Sequence, residues 1–360
     1  MKVNHLNLVN FRNYQKANID IDQGINLLYG NNASGKTNLV EAISFASLGK
    51  SFRTNDDSNL IMHQNDGAKI ELEYFSKKKN RLDVILSKEG KIVYHNDIKL
   101  ERLSELNGLL ITITFTPEDV LLFKDSPSVR RRFLDIACSN LYRGYIKQLS
   151  DYKNVLKQRN ALLKNEIVDE RLLEIFNEGM IDNQYQIMLC RYQILKKLEE
   201  KLNLMVKRIT NINGEVKIKY QCDFDLYDSI DDFRKNVLDI YSQDKEQDLK
   251  RKTTSRGVHH DDFKLYLENK EVSEFASQGQ NRLLALCLKL SYGELIKEQI
   301  NENPVIILDD VLSELDNQHQ AKLINVLKEY EQVFITSAED EDIEGINKYQ
   351  VIDGMVLRRN

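Results

Sequence analysis

Eight consecutive residues, Gly30, Asn31, Asn32, Ala33, Ser34, Gly35, Lys36 and Thr37, satisfy the spacing G-x-x-x-x-G-K-[ST] without a mismatch. Each fixed position has a physical reading. Gly30 and Gly35 let the backbone turn so that successive N–H groups point inward at phosphates. A helix opening near Lys36 adds the positive end of its dipole. Lys36 is expected to reach the β- and γ-phosphates of a nucleotide, and the Thr37 hydroxyl to hold Mg2+.

A pair of acids lies far downstream. Val305, Ile306, Ile307 and Leu308 form an apolar run that ends in Asp309 and Asp310. Beside a phosphate loop, Asp309 would coordinate Mg2+ through its water shell. Asp310 would orient or deprotonate an attacking water. Alone, the segment reads equally as a buried strand entering an acidic turn. Ser277, Gln278, Gly279 and Gln280 precede a strongly helical stretch. Ser277 can cap that helix, and Gly279 lets an anion approach its N–H groups; a plain capped helix has the same local appearance. His259, His260, Asp261 and Asp262 are adjacent. Neighbours on a strand alternate faces, so a structural role or a lobe-lobe contact is expected there rather than a metal site. Arg12, on the first strand, either reaches the nucleotide or serves packing or a surface pair.

The elements that must position these residues fall in two outer stretches. Residues 3–9 alternate apolar and polar as a half-buried strand does, and residues 24–29 form a short buried strand that stops at Gly30. Residues 36–48 read as a helix, residues 69–75, 82–86 and 91–94 as antiparallel strands, and residues 109–115 as a further β-branched run. From 128 to about 248 there is no proline and charge is dense. Apolar residues at helical spacing mark helices over 130–138, 145–163 and 181–206, too short and irregular for a long coiled coil. A strand-like piece at 215–220 interrupts them. Strands return at 263–267, 304–308 and 332–336, with helices at 278–299 and 323–329. Neither outer stretch has strands enough to bury a core alone. Residues 1–127 and 250–360 are therefore expected to form one α/β lobe, with 128–249 a helical insertion and 275–282 at the lobe junction.

Composition narrows the class. The 360 residues carry 41% hydrophobic and 30% charged side chains and a net charge of −5. A nucleic-acid surface would thus be a local patch. Cys138, Cys190, Cys222 and Cys287 are far apart with no CxxC pair, which argues against zinc or a disulfide framework and fits a reducing cytosol. The first residues alternate like a strand rather than a signal peptide, and no apolar run is long enough to span a membrane, so a cytoplasmic location is expected.

Taken in chain order, the sequence resembles the ATP-binding-cassette ATPases: phosphate loop, long insertion, S-x-G-Q before a helix, apolar strand with paired acids, then Ser313, Glu314, Leu315 and Asp316. Within that superfamily it is most similar, over essentially its whole length, to the RecF family of SMC-like ATPases. The marks are residues 10–14 (NFRNY), 29–38, 115–119 (FTPED), 126–135 (SPSVRRRFLD), 257–262 (GVHHDD), 277–280 and 308–316. The resemblance implies an ABC-type ATPase head, a P-loop sheet with an antiparallel subdomain, plus an inserted helical domain. It implies ATP and Mg2+ as ligands and an ATP-dependent head-to-head homodimer. There Ser277, Gly279 and Gln280 of one copy would close on the γ-phosphate held by the other. Residues 332–337 look like the last core strand, with Thr336 or Ser337 where transporter ATPases carry histidine. The resemblance further implies binding of duplex DNA and of single-strand/double-strand junctions, and work with RecO and RecR in loading the recombinase. Ala33 stands where many relatives have glycine. Asp310 stands where most transporter ATPases have Glu; its shorter reach implies slow hydrolysis. A transporter ATP-binding subunit, a P-loop kinase and a nucleotide-stapled scaffold are the competing readings.

Three basic clusters could meet phosphate backbone: Lys77, Lys78, Lys79 and Arg81; Arg130, Arg131 and Arg132; and Lys250, Arg251 and Lys252 with Arg256. Each alone reads more readily as a solvated turn or helix face. No aromatic-rich platform for single strands is evident, so duplex or junction backbone is the expected target.

Overall fold

In a computed structural model, which describes residues 1–359, the chain begins with β1 (Lys2–Phe11), β2 (Tyr14–Asp20), β3 (Gly24–Tyr29), α1 (Lys36–Leu48), β4 (Gly67–Ser76), β5 (Lys78–Ser87), β6 (Gly90–His95), β7 (Ile98–Lys99) and β8 (Thr112–Phe115). It continues through α2 (Pro127–Leu141), α3 (Tyr145–Leu162), α4 (Glu170–Ile209), β9 (Val216–Gln221), α5 (Ile230–Gln243), α6 (Lys245–Arg251), β10 (Asp262–Leu267), β11 (Lys270–Glu271) and the short α7 (Val272–Phe275). It closes with α8 (Gln278–Ile300), β12 (Val305–Asp309), α9 (Asn317–Leu327), β13 (Gln332–Ser337), β14 (Asn347–Ile352) and β15 (Met355–Arg359). These elements divide into two compact units: Met1–Val120, Lys201–Asn213 and the chain from Gln278 onward; and Leu121–Glu200 with Gly214–Ser277.

The first unit holds two six-stranded sheets. One is antiparallel, in the order β2-β1-β4-β5-β6-β7. Its alternation is strict on β4, where Ile70, Leu72 and Tyr74 are buried and Lys69, Glu71 and Glu73 are not, as expected of a sheet with one face on a core. The other sheet has the order β15-β14-β3-β13-β12-β8, parallel throughout except for β15. Its central strands are buried on both faces, so β12 and β13 are buried at every position, and they read as apolar runs without alternation. The two sheets are joined by Gln332, which is fully buried at the start of β13. Its Oε1 accepts from the Val3 amide at 2.7 Å, and its Nε2 donates to the Val3 and Asp22 carbonyls at 2.7 and 2.9 Å.

The second unit contains a three-stranded sheet, β11-β10-β9, and helices. Here the structure corrects three readings. The helix expected over 181–206 is one 40-residue element, α4. Its pattern looked irregular because three buried positions seven residues apart are polar: Asn177, Gln184 and Arg191. They bond respectively to Arg159 (2.8 Å), Tyr241 (2.9 Å) and Asp261 (2.6 Å). Residues 250–277 lie in the second unit instead of the first lobe, because β10 pairs antiparallel with β9. Lys201–Asn213 joins the first unit, since Lys322 donates to the Thr210 carbonyl and Asn211 side chain at 3.3 and 2.6 Å. The strands β2, β14 and β15 were not read from sequence.

His259 and His260 sit in the turn before β10, not on a strand, with ring centroids 4.1 Å apart. His259 bonds the Tyr152 hydroxyl at 2.6 Å, and burial lowers its pKa to about 4, keeping it neutral. This is a packed polar core built on Arg159 and Arg191, both buried and paired with Asp248 and Asp261.

Replacing Gln332 with leucine would remove these bonds from the Val3 amide and carbonyl, while the Asp22 carbonyl keeps the Asn26 side-chain amide at 3.0 Å. Unsatisfied buried groups cost roughly 1–3 kcal/mol each, so Q332L is expected to lose about 2–4 kcal/mol of stability, read in urea as a lower midpoint with the slope unchanged.

Candidate functional site

Parallel pairing decides where the sequence-identified residues meet. In register, Thr336 of β13 lies opposite Leu28 of β3 on one side and Asp309 of β12 on the other. The C-terminal ends of the three strands therefore share one edge of the sheet. The loop after β3, the acids after β12 and the hydroxyls closing β13 converge there. Helices start at this edge in such sheets, and ligands bind there.

The phosphate loop is held from below. Gly30 has φ 149° and Gly35 φ 118°. A Cβ on Gly30 would collide with the Val351 carbonyl oxygen, and one on Gly35 would lie 2.7–2.9 Å from Asn13 and Tyr14 side-chain atoms. Asn13 donates to the Ser34 carbonyl at 3.0 Å, Tyr14 OH donates to the Gly35 carbonyl at 3.0 Å, and the Gly354 amide donates to the Ser34 carbonyl at 3.1 Å. With those carbonyls turned to the protein, the loop's N–H groups are left to face the other way. Ala33 sits at φ 66°, a left-handed conformation that costs a residue with a Cβ roughly 1–2 kcal/mol. That explains why glycine suits the position.

Lys36 opens α1 with Gly35 as its cap. Its ammonium donates to the loop's own Gly30 and Asn31 carbonyls at 2.7 and 2.9 Å. Burial lowers its pKa, against the opposing fields of Asp310 and Asp309. Thr37 Oγ1 donates to Asp309 Oδ1 at 2.8 Å, and Thr336 Oγ1 donates to the same oxygen at 2.7 Å. Burial raises the Asp309 pKa, and the two threonine bonds oppose that rise. The Thr336 oxygen also accepts from the Asp310 amide at 2.9 Å, which holds Asp310 at φ 51°. Ser313 donates to the Asp310 carboxylate at 3.0 Å.

A cavity of about 300 Å³ opens above these groups, lined by Asn32, Ala33, Gly35, Lys36, Thr37, Asn38, Arg53, Asp310, Thr336 and Ala338. The fit to a triphosphate rests on three features. The loop cradle excludes side chains at Gly30 and Gly35. The buried Ser34 Oγ has no partner. Lys36 is spent on carbonyls that a phosphate would outbid. The fit to Mg2+ rests on two hard oxygen donors, Thr37 Oγ1 and Asp309 Oδ1, already in contact.

Arg53 was missed by the sequence reading. It follows α1 in a loop with no motif spacing, yet it lines the cavity and donates to Asn38 Oδ1 at 2.7 Å. Glu41, fully buried on α1, holds Arg53 (3.4 Å), Ser51 (2.5 Å) and Arg12 (2.7 and 2.9 Å). Arg12 is thus committed to Glu41, resolving its two readings in favour of packing. Ser277 and Gly279 are exposed at the start of α8, and a Cβ on Gly279 would meet no atom within 4 Å. Nothing inside the chain requires glycine there. Arg282, one turn on, pairs with Glu314.

The basic clusters separate in space. Arg130 is buried and bidentate on Asp262 at 2.7 and 2.8 Å. Arg131 donates to the Asp261 carbonyl at 2.9 Å. Lys79 and Arg81 pair with Glu73, Glu71 and Asp83, and Arg256 with Asp244. Lys77 and Lys78 remain exposed on the hairpin, as do Arg132 on α2 and Lys250, Arg251 and Lys252 at the end of α6.

Asp309→Asn keeps an oxygen at Oδ1 and removes the buried charge. The ligand-free D309N chain is expected to melt above the native one at neutral pH in calorimetry, while its affinity for Mg2+-nucleotide falls about tenfold or more. The folded-state pKa of Asp309 is raised, so the folded chain binds more protons than the unfolded one. The gap in melting temperature should therefore narrow as pH falls and the native carboxyl protonates.

Comparison with known proteins bears on the whole chain. Residues 2–357 match the RecF/RecN/SMC N-terminal domain. A DNA replication and repair protein RecF from Oenococcus oeni is 38% identical over 358 residues, covering 96% of this chain and 95% of that protein. The protein of the same description from Clostridioides difficile is 38% identical over 343 residues, covering 94% and 92%. A solved structure of the recombination mediator protein RecF-ATP in the RecFOR pathway superposes with a TM-score of 0.93 at 32% identity, over 99% of this chain and 97% of that one. The Smc head domain of Pyrococcus furiosus, at 16% identity and a TM-score of 0.56 over 99% and 96% of the two chains, shares the fold alone. On a match that runs from its second residue almost to its last, this chain belongs to the RecF/RecN/SMC N-terminal domain family, in its RecF branch.

Proposed function

We propose that this protein is an ATP-dependent DNA-binding ATPase of recombinational repair and replication restart. The observation that carries the reading is the convergence of Lys36, Thr37, Asp310 and Thr336 on one cavity, with Asp309 bonded to both threonines, in a chain whose full-length relatives are described as DNA replication and repair proteins. The ATP-bound relative supports ATP as the nucleotide.

The residues divide the work as follows. Gly30, Asn31, Asn32, Ala33, Ser34 and Gly35 supply the backbone N–H cradle, and Lys36 turns from its loop carbonyls to the β- and γ-phosphates. Thr37 would hold Mg2+ through its hydroxyl, and Asp309 through the ion's water shell. Mg2+, when bound, neutralises charge on the β- and γ-phosphate oxygens. Asp310 takes the proton from the water that attacks the γ-phosphorus, as the bond to ADP breaks and phosphate leaves. The shorter reach of an aspartate, where most transporter ATPases carry glutamate, implies slow turnover.

Ser277, Gly279 and Gln280 serve a second copy of the chain. Gly279 is unexplained by internal packing, and an uncrowded glycine costs about 1 kcal/mol in a helix relative to alanine; close approach of another subunit's γ-phosphate supplies the reason. ATP thereby drives a homodimer, DNA binds to the paired form, and hydrolysis releases it. The RecFOR setting of the ATP-bound relative supports RecO and RecR as partners; the same reading places the protein's work at gaps and junctions, in the cytoplasm.

Ser277→Arg is expected to abolish ATP-dependent dimerisation in sedimentation while leaving nucleotide affinity of the monomer within about twofold, a change below 0.5 kcal/mol. Normal dimerisation of S277R would remove the in-trans site. Asp310→Asn is expected to accumulate an ATP-bound dimer and slow DNA release by about tenfold or more. Equal release rates would favour nucleotide as a static fold staple.

A further inference from the structure

Resting on the DNA-binding reading above, we propose that the outward face of α3 is a docking surface for the phosphate backbone of duplex DNA. The observation is a stripe of cations absent from the sequence clusters. Between Arg143 and Asn165 the chain carries Arg143, Lys147, Lys153, Lys157, Arg159 and Lys164, but one carboxylate, Asp151. Arg159 is buried against Asp248. The other five are exposed, and among the described residues none of them makes an ion pair.

Helical spacing gathers them. At 100° per residue, Lys147, Lys153 and Lys157 fall within a 120° arc on one side of α3, and Arg143 and Lys164 flank its two ends in sequence. Tyr145, Tyr152 and Leu162 on the opposite side are buried in the unit's own core. Lys153 and Lys157, four apart, repel each other with no acid between them, so intrachain stability gives no reason for the pattern. In a chain of net charge −5, such a stripe is a local positive field.

The polar residues between the lysines specify the partner. Ser150, Asn154 and Gln158 are exposed on the same face, and such side chains bond phosphate oxygens. Ala161 is the one exposed apolar residue on α3. A protein partner would need an apolar centre to bury. A membrane-lying helix would need its apolar side free, and here that side is the core. No exposed aromatic on α3 offers a stacking platform, which favours duplex over single strands.

The test is the salt dependence of binding to a short fluorescent duplex, measured by anisotropy with ATP and Mg2+, for the native chain and the triple variant K147Q/K153Q/K157Q. Each phosphate contact contributes about 0.9 to the slope of log affinity against log salt, so losing three flattens it by about 2.7 and shrinks the native advantage about fortyfold between about 50 and about 200 mM salt. The K147R/K153R/K157R variant should retain the native slope. A glutamine variant with native affinity and slope overturns the assignment while leaving the DNA-binding reading in place. A native chain that binds no duplex with any nucleotide overturns both. Binding of the native chain to phosphatidylserine vesicles, lost in the glutamine variant while duplex binding is kept, would overturn it in favour of a membrane.

Discussion

One carboxylate oxygen organises the nucleotide site. Asp309 Oδ1 receives the hydroxyls of Thr37, on the helix that follows the phosphate loop, and Thr336, at the end of β13. Three segments that are 272 and 27 residues apart in sequence meet at that atom. A buried carboxylate is stable only when its charge is met by donors. In the chain alone the two hydroxyls meet part of it, and the raised pKa of Asp309 records what they leave unmet. The site is thus electrostatically incomplete, which is the condition under which a divalent cation gains most from binding.

Strain accompanies that incompleteness. Ala33 and Asp310, both lining the cavity, adopt left-handed backbone. Each is over-determined by its surroundings: the Ser34 carbonyl next to Ala33 is fixed by Asn13 and Gly354, and the Asp310 amide by Thr336. Such conformations persist where neighbouring structure compensates for them, and functional sites are where they gather. Glu41 has the same supporting character one layer down. Buried on α1, it gathers Arg12, Ser51 and Arg53, so the loop that brings Arg53 to the cavity is anchored to the helix that carries Lys36 and Thr37.

The second unit is built on a different principle. Its long helix buries Asn177, Gln184 and Arg191 at seven-residue intervals, each paired with a group from a different segment. Buried polar pairs add little net stability over apolar packing, but misalignment leaves charges without partners and is costly. The arrangement penalises any slip of α4 against its neighbours. It also hides the helix from a hydrophobic-periodicity reading, since polar residues stand where apolar ones are expected. Cys287 shows the converse: it is fully buried on α8 and burial alone pushes its thiol up, as an inert packing group.

The sequence alone determined what depends on neighbours along the chain. The phosphate loop, the buried strands at 24–29 and 332–336, the helix at 36–48 and the acids at 309 and 310 were legible because loop chemistry and strand burial leave marks within a dozen residues. The order of these marks carried the family. Only tertiary structure decided what depends on distance through space. It assigned Arg12 to Glu41, brought Arg53 to the cavity, buried Arg130 under Asp262, and moved residues 250–277 to the second unit through one strand pairing. Charge shows the difference most plainly. Adjacent arginines such as 130–132 look like a patch in sequence but point different ways on a helix, whereas Lys147, Lys153 and Lys157 look scattered and share a face. An α-helix turns 100° per residue, so adjacency in sequence is not adjacency in space.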